Sequence, residues 1–197
     1  MGLEEGKRSS GEGEKDAIPV RELERSRSRS YLLNSRHPIN ARKMHVYEFK
    51  IDRFRETHPG TVPPQLSRLD PGDVTSTRDT VARVLGLPAD TSPLQLVKYL
   101  DDYETIVPDV DATNPAFSLD ELLRDENIVP KEFVLINWYR FDTLDRIRLD
   151  DLVRYFHEIW YPSSDDIDIL DESVDWVVSV RHDGTIKVIR LNEQRPT

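Results

Sequence analysis

The sequence predicts an α+β fold: one domain with a mostly antiparallel sheet of four or five strands, packed with three to four helices. Three observations carry that expectation. Asp183-Gly184 stands between two strand-like runs and reads as a hairpin turn. Residues 149–160 place apolar side chains at spacings of three and four, the pattern of a helix with one buried face. Large apolar residues are sparse before Met44 and regular after it, so the 197 residues divide into a tail, 1–43, and one domain, 44–197.

Charge divides at the same place. Residues 1–43 contain ten Lys+Arg and seven Asp+Glu, whereas residues 44–197 contain seventeen and thirty, within a chain of formal net charge −10. The tail is expected to be disordered and mildly basic, with Arg25-Ser26-Arg27-Ser28-Arg29-Ser30 a solvated linker. An acidic domain repels nucleic acid and anionic lipid and attracts basic partners. The chain has no cysteine, which excludes disulfides and thiolate metal sites. No run approaches about 18 apolar residues and no leader-like segment opens the chain, so a cytoplasmic protein is expected, without a membrane partner. Arg outnumbers Lys and Asp outnumbers Glu, a usage associated with GC-rich bacterial genes.

From Met44 the elements follow in order. Tyr47-Glu48-Phe49-Lys50-Ile51-Asp52 alternates apolar with charged residues, which predicts a half-buried strand. Residues 57–74 read as a loop. A helix is expected from Thr77 to Leu85, ended by Gly86, and a second after Ser92 and Pro93, with Leu94, Val97 and Leu100 on its buried face. This pair is not a DNA-reading unit, because its second helix offers only Lys98 and ends in Asp101-Asp102. Ser118 to Glu121 forms a capping box that starts a third helix. Phe133–Tyr139 is nearly all apolar and predicts a central strand. The helix at 149–160 is stopped by Pro162. A short strand at Ile167–Leu170 is expected to join the closing hairpin. A two-residue turn there pairs Trp176 with Leu191 and Val178 with Ile189, leaving the other face partly wet.

The densest acidic stretch, Asp165 to Asp175, follows Trp160-Tyr161-Pro162. Strand alternation puts Asp166 and Asp168 on one face and Ile167 and Ile169 on the other. Tyr161, Asp165, Asp166, Asp168 and Asp171 are therefore the candidate partner-binding residues, an anionic patch beside an aromatic anchor. Neither this stretch nor Asp109–Asp120 has the glycine and bidentate Glu of a calcium loop, so no metal is expected. The five histidines form no i, i+4 pair, and no nucleophile elbow or phosphate loop is present. No cofactor is implied.

The segment Leu152 to Ile169, with Asp175-Trp176-Val177-Val178 and His182-Asp183-Gly184, resembles a group of small bacterial α+β proteins. These are loosely similar to the SMI1/KNR4-like immunity proteins of polymorphic toxin systems. The resemblance implies a non-enzymatic intracellular binding protein, an immunity protein that inhibits a basic toxin through its acidic surface. The alternatives are a hydrolase-type enzyme with an Asp/His site assembled by the fold, and a regulatory or scaffold module.

Overall fold

A computed structural model describes residues 46–191; the predicted tail lies outside the described residues. In order, the elements are α1 (Val46–Thr57), β1 (Ser67–Arg68), α2 (Pro71–Val84), α3 (Pro93–Tyr103), β2 (Thr105–Asp111) and α4 (Leu119–Asp125). There follow β3 (Phe133–Asn137), β4 (Leu144–Arg148), α5 (Leu149–Arg154), α6 (Phe156–Ile159), β5 (Ile167–Asp171), β6 (Trp176–Val180) and β7 (Thr185–Arg190). The fold is α+β, with one seven-stranded sheet in the order β1-β4-β3-β5-β6-β7-β2. Every pairing is antiparallel. The sheet is thus larger than the four or five strands expected, and the six helices among the described residues exceed the three to four expected. Two-residue β1, Pro-containing β2 and charged β4 (Leu-Asp-Arg-Ile-Arg) all lack the apolar alternation that marks a strand in sequence.

Helices cover both faces. On one face Val134, Ile136, Ile169 and Val178 meet α4 and the α5–α6 segment through Leu122, Leu152, Phe156 and Trp160. On the other, Leu135, Leu170, Val177 and Ile189 meet Val81 of α2 and Leu96, Val97 and Leu100 of α3. Side chains alternate across a strand, so a sheet buried on both sides must be apolar on both. β3 is, up to its last residue: Val134, Leu135 and Ile136 are buried and apolar.

The caps of the middle helices lie where the sequence puts them. Ser92 and Gln95 close a reciprocal capping box, Gly86 takes φ +70° after α2, and the Ser118 hydroxyl accepts from the Glu121 amide at 3.3 Å. Five local expectations are corrected. Of the expected loop at 57–74, residues 67–68 form β1 and α2 already starts at Pro71 rather than Thr77. Residues 47–52 are helical, because the buried positions are Lys50, Ile51 and Phe54, a 3–4 spacing hidden by the charge on Lys50. Leu94 is exposed and Leu96 takes its place inside. The long helix at 149–160 breaks at Tyr155 (φ −117°, ψ 29°), which turns its ring edge-on to Phe54 at 4.9 Å. The final hairpin pairs Trp176 with Arg190 and Val178 with Val188, one residue away from the expected register.

That last correction has a plain cause. Arg181 donates its amide to Thr185 at 2.9 Å, so the loop holds three residues, His182-Asp183-Gly184, and within it only Gly184 has a positive φ, +90°. A type I′ turn would require φ above zero at two positions, whereas three residues ending in a left-handed glycine make the next commonest hairpin. The one-residue shift buries both faces of the hairpin: Val178 and Val188 on one side, Val177 and Ile189 on the other.

Candidate functional site

The carboxylates of 165–171 do not share one surface. Asp165 pairs with Lys50 of α1 and accepts the Tyr161 amide at 2.7 Å. Lys50 is buried, with its ammonium 3.9 Å from the centre of the Tyr161 ring and 2.5 Å from the Ile159 carbonyl, and burial lowers its pKa against the pull of Asp165. Asp166 accepts from the backbone amide of His182 at 2.8 Å and meets its Nδ1 at 2.9 Å. Asp171, fully buried, accepts the amides of Lys131 and Ser173, both at 2.9 Å. Asp168 and Asp166 do lie on the face opposite Ile167 and Ile169, as strand alternation requires.

Asp168 belongs to a feature the sequence reading missed. Asn137, Asp168, Ser179 and Lys187 are successive register partners on β3, β5, β6 and β7, a polar row crossing the sheet beneath α3. One row further along, Leu135 faces Leu170 and Val177 faces Ile189, all apolar. Glu104, at the α3–β2 junction, hangs over the polar row with its side chain fully buried. Ser179 Oγ contacts a Glu104 oxygen and lies 2.6 Å from Asp168 Oδ1. Arg181 clamps both acids, at 2.9 Å to Asp168 and 3.2 Å to Glu104, and reaches Asp101 at 3.5 Å. Asn137 donates to Asp168 at 2.7 Å and accepts the Phe141 amide at 2.6 Å. Burial, then the charge of Asp168, pushes the Glu104 carboxyl up to about 7.

A cleft of about 650 Å³ opens above the row, lined by α3 (Leu94, Lys98, Asp101), the hairpin end (Arg181, His182) and Tyr139. Tyr139 has φ +79° and Phe141 φ +49°, so the β3–β4 loop at its rim is held in a strained conformation. The sequence signal for this region was slight: single polar residues, Asn137 and Ser179, inside apolar runs. Only the pairing register shows that they meet.

A second concavity follows β2, which is an edge strand. Two hollows of about 320 and 410 Å³ share Val107, Pro108 and Glu126 and form a trough between β2 and α4. One end carries Tyr103 and Ile106, both more than half exposed (57% and 58%). The other is lined by Asp109, Asp111, Glu121, Asp125 and Glu126, with Val107, Val110, Phe117 and Leu122, and by no Lys, Arg or His. At the first end Arg190 approaches Glu126 at 3.6 Å. Hydrogen bonds from Thr113 hold Asp111 below the usual carboxylate range, which keeps it ionised.

Among the described residues no three His, Asp or Glu side chains are grouped to hold a metal, and no helix is long and apolar enough to cross a membrane. No family model, curated protein or solved structure matches the chain.

Proposed function

We propose that this chain is a non-enzymatic binding protein whose β2–α4 trough receives a basic, extended segment of a partner protein. The carrying observation is the acidic end of the trough, Asp109, Asp111, Glu121 and Asp125 over an apolar floor lined by no basic side chain, with Glu126 at its margin beside Arg190. Like charges clustered on a concave surface steer and hold an opposite charge, and apolar side chains beside them supply contact area. Tyr103 and Ile106 are the apolar anchors at the other end. The partner is held by side chains more than by an added strand, since Pro108 offers no amide and Asp109, at φ +61°, interrupts the register of β2 with β7. Inhibition of a basic toxin, which the resemblance to immunity proteins implies, is the finer form of this reading. The acids at 165–171, expected in sequence to meet the partner, play the lesser part here because most of their oxygens are engaged within the fold.

The test is fluorescence anisotropy with a labelled ten-residue peptide of alternating Lys and Ser carrying one Leu near its end. Binding should weaken steeply with salt, and Asp109→Lys with Asp125→Lys should weaken it at least about tenfold. Reversal of Asp142 and Asp150, which are exposed and do not line the trough, is the control. Equal losses from both pairs, or tighter binding of the Glu-for-Lys peptide, would overturn the proposal.

One observation favours the enzymatic alternative: Asp166 orients His182 at the cleft, the arrangement a general base needs. Hydrolysis of a nitrophenyl ester that disappears in His182→Ala would support it, and an unchanged rate would remove it.

A further inference from the structure

The polar row poses a counting problem. Ser179 Oγ lies within hydrogen-bond reach of one oxygen of Glu104 and one of Asp168, yet a hydroxyl has a single proton to donate. If both acids were ionised, one contact would set two oxygens face to face without a hydrogen, inside the fold. The cations at hand do not remove the difficulty. Facing Glu104 are Asp168 from β5, Ser179 from β6 and Arg181 just past its end, Lys187 from β7, and Asp101 from its own helix. Arg181 spans all three acids, and Lys187 is engaged by Asp101. One additional proton resolves the geometry: Glu104 donates to Ser179, and Ser179 donates to Asp168. The other Asp168 oxygen then accepts from Asn137, whose own oxygen accepts the Phe141 amide. The chain of bonds therefore ends on the strained loop carrying Tyr139 and Phe141.

We propose that Glu104, Ser179 and Asp168 share one exchangeable proton that acts as a latch, holding α3 and the 138–143 loop in place and releasing the cleft rim when it leaves. Loss of the proton leaves two carboxylates competing for one hydroxyl and one guanidinium. Arg181 and Ser179 must then divide between them, and Asp168 loses donors on the side that positions Asn137. The bistable element is the loop, in which the Asn137 bond holds Phe141, one of two positive-φ residues. Burial of the pair, with the side chains of Glu104 and Asp168 at 0% and 1% exposure, makes the proton costly to remove and places its release near neutral pH. The inference is independent of the trough and would stand if no basic partner existed.

The experiment uses the full chain with ¹³C-labelled Glu and uniform ¹⁵N. The Glu104 side-chain carboxyl should titrate near 7, well above an ordinary glutamate. Over the same pH interval the protection of the Phe141 amide, corrected for intrinsic exchange, should fall about tenfold. Glu104→Gln supplies a permanent N–H in place of the shared proton, so it should hold Phe141 protected at both ends of the range. Ser179→Ala should remove the link and leave Phe141 protection independent of pH. Titration of Glu104 in the ordinary glutamate range would overturn the proposal. A neutral midpoint with Phe141 unresponsive would overturn the latch equally, and both readings are made on the unsubstituted protein.

Discussion

Two acidic strands of this domain have opposite fates. β5 carries Asp168 and Asp171 and occupies the middle of the seven-stranded sheet; β2 carries Asp109 and Asp111 and lies at its edge. Their local acid density is similar in sequence. On the central strand every residue is buried, so each carboxylate must find donors within the fold: Arg181, Ser179 and Asn137 for Asp168, and two amides for Asp171. On the edge strand the acids line a trough that no basic side chain enters at its acidic end. Position in the sheet, more than charge density, decides whether an acid organises the interior or is offered to a partner.

That contrast can be broken at its buried end first. Asp168→Ala should destabilise the domain by about 3–5 kcal/mol in urea unfolding, since it takes the buried acceptor from Asn137 and Ser179 and the nearest of three carboxylates from a mostly buried guanidinium. A loss below about 1 kcal/mol would put Asp168 in the same class as the edge acids.

Lys50→Met is expected to cost about 3 kcal/mol by leaving Asp165 without its cation. Combining it with Asp165→Asn should cost less than the two single changes added, the signature of a real pair. Strict additivity would mean that the docking of α1 owes nothing to this contact.

Stability should also depend on pH through Glu104. Its carboxyl is raised from 4.5 in the unfolded chain to about 7 in the fold, so the folded state binds the extra proton. The associated stability is complete below pH 4.5 and disappears as pH rises to about 7, a loss of about 3 kcal/mol relative to Glu104→Gln. Chemical unfolding of both proteins at pH 5 and pH 8 measures the difference directly. Parallel pH dependences would show that the buried acid is no more perturbed than an exposed one.

The smallest effect belongs to the edge. Asp109→Lys with Asp125→Lys should change stability by less than about 0.5 kcal/mol, because solvated charges contribute little to folding. A large loss would make the trough part of the scaffold and sharpen the comparison in the other direction.

Much of the architecture was legible in sequence wherever local chemistry decides it. Ser92-Pro93, Ser118, Gly86 and the strand expected at 133–139, which ends at Asn137, signal themselves through caps and apolar runs. The edge strands were not legible because an exposed strand has no need of an apolar face. α1 was hidden by a buried lysine that counts as polar in any pattern. The hairpin was located correctly and misregistered, since Asp-Gly serves two-residue and three-residue loops alike. Of the candidate residues, Asp166 and Asp168 were placed on the right face, but their partners were beyond reach. Glu104, Asn137 and the Ser179/Arg181 pair come from three separate stretches, and only pairing register unites them with Asp168.

The pairing of β2 also sets an order of assembly. Among the described residues its one strand neighbour is β7, with Thr105 opposite Val188, so during synthesis residues 105–111 leave the ribosome long before the strand that will hold them. A flat apolar segment waiting that long would pair with other nascent chains. Pro108, Asp109 and Asp111 make the stretch a poor template for such pairing, as gatekeeping residues do. The same three residues that shape one wall of the trough in the finished domain thereby protect the unfinished one from aggregation.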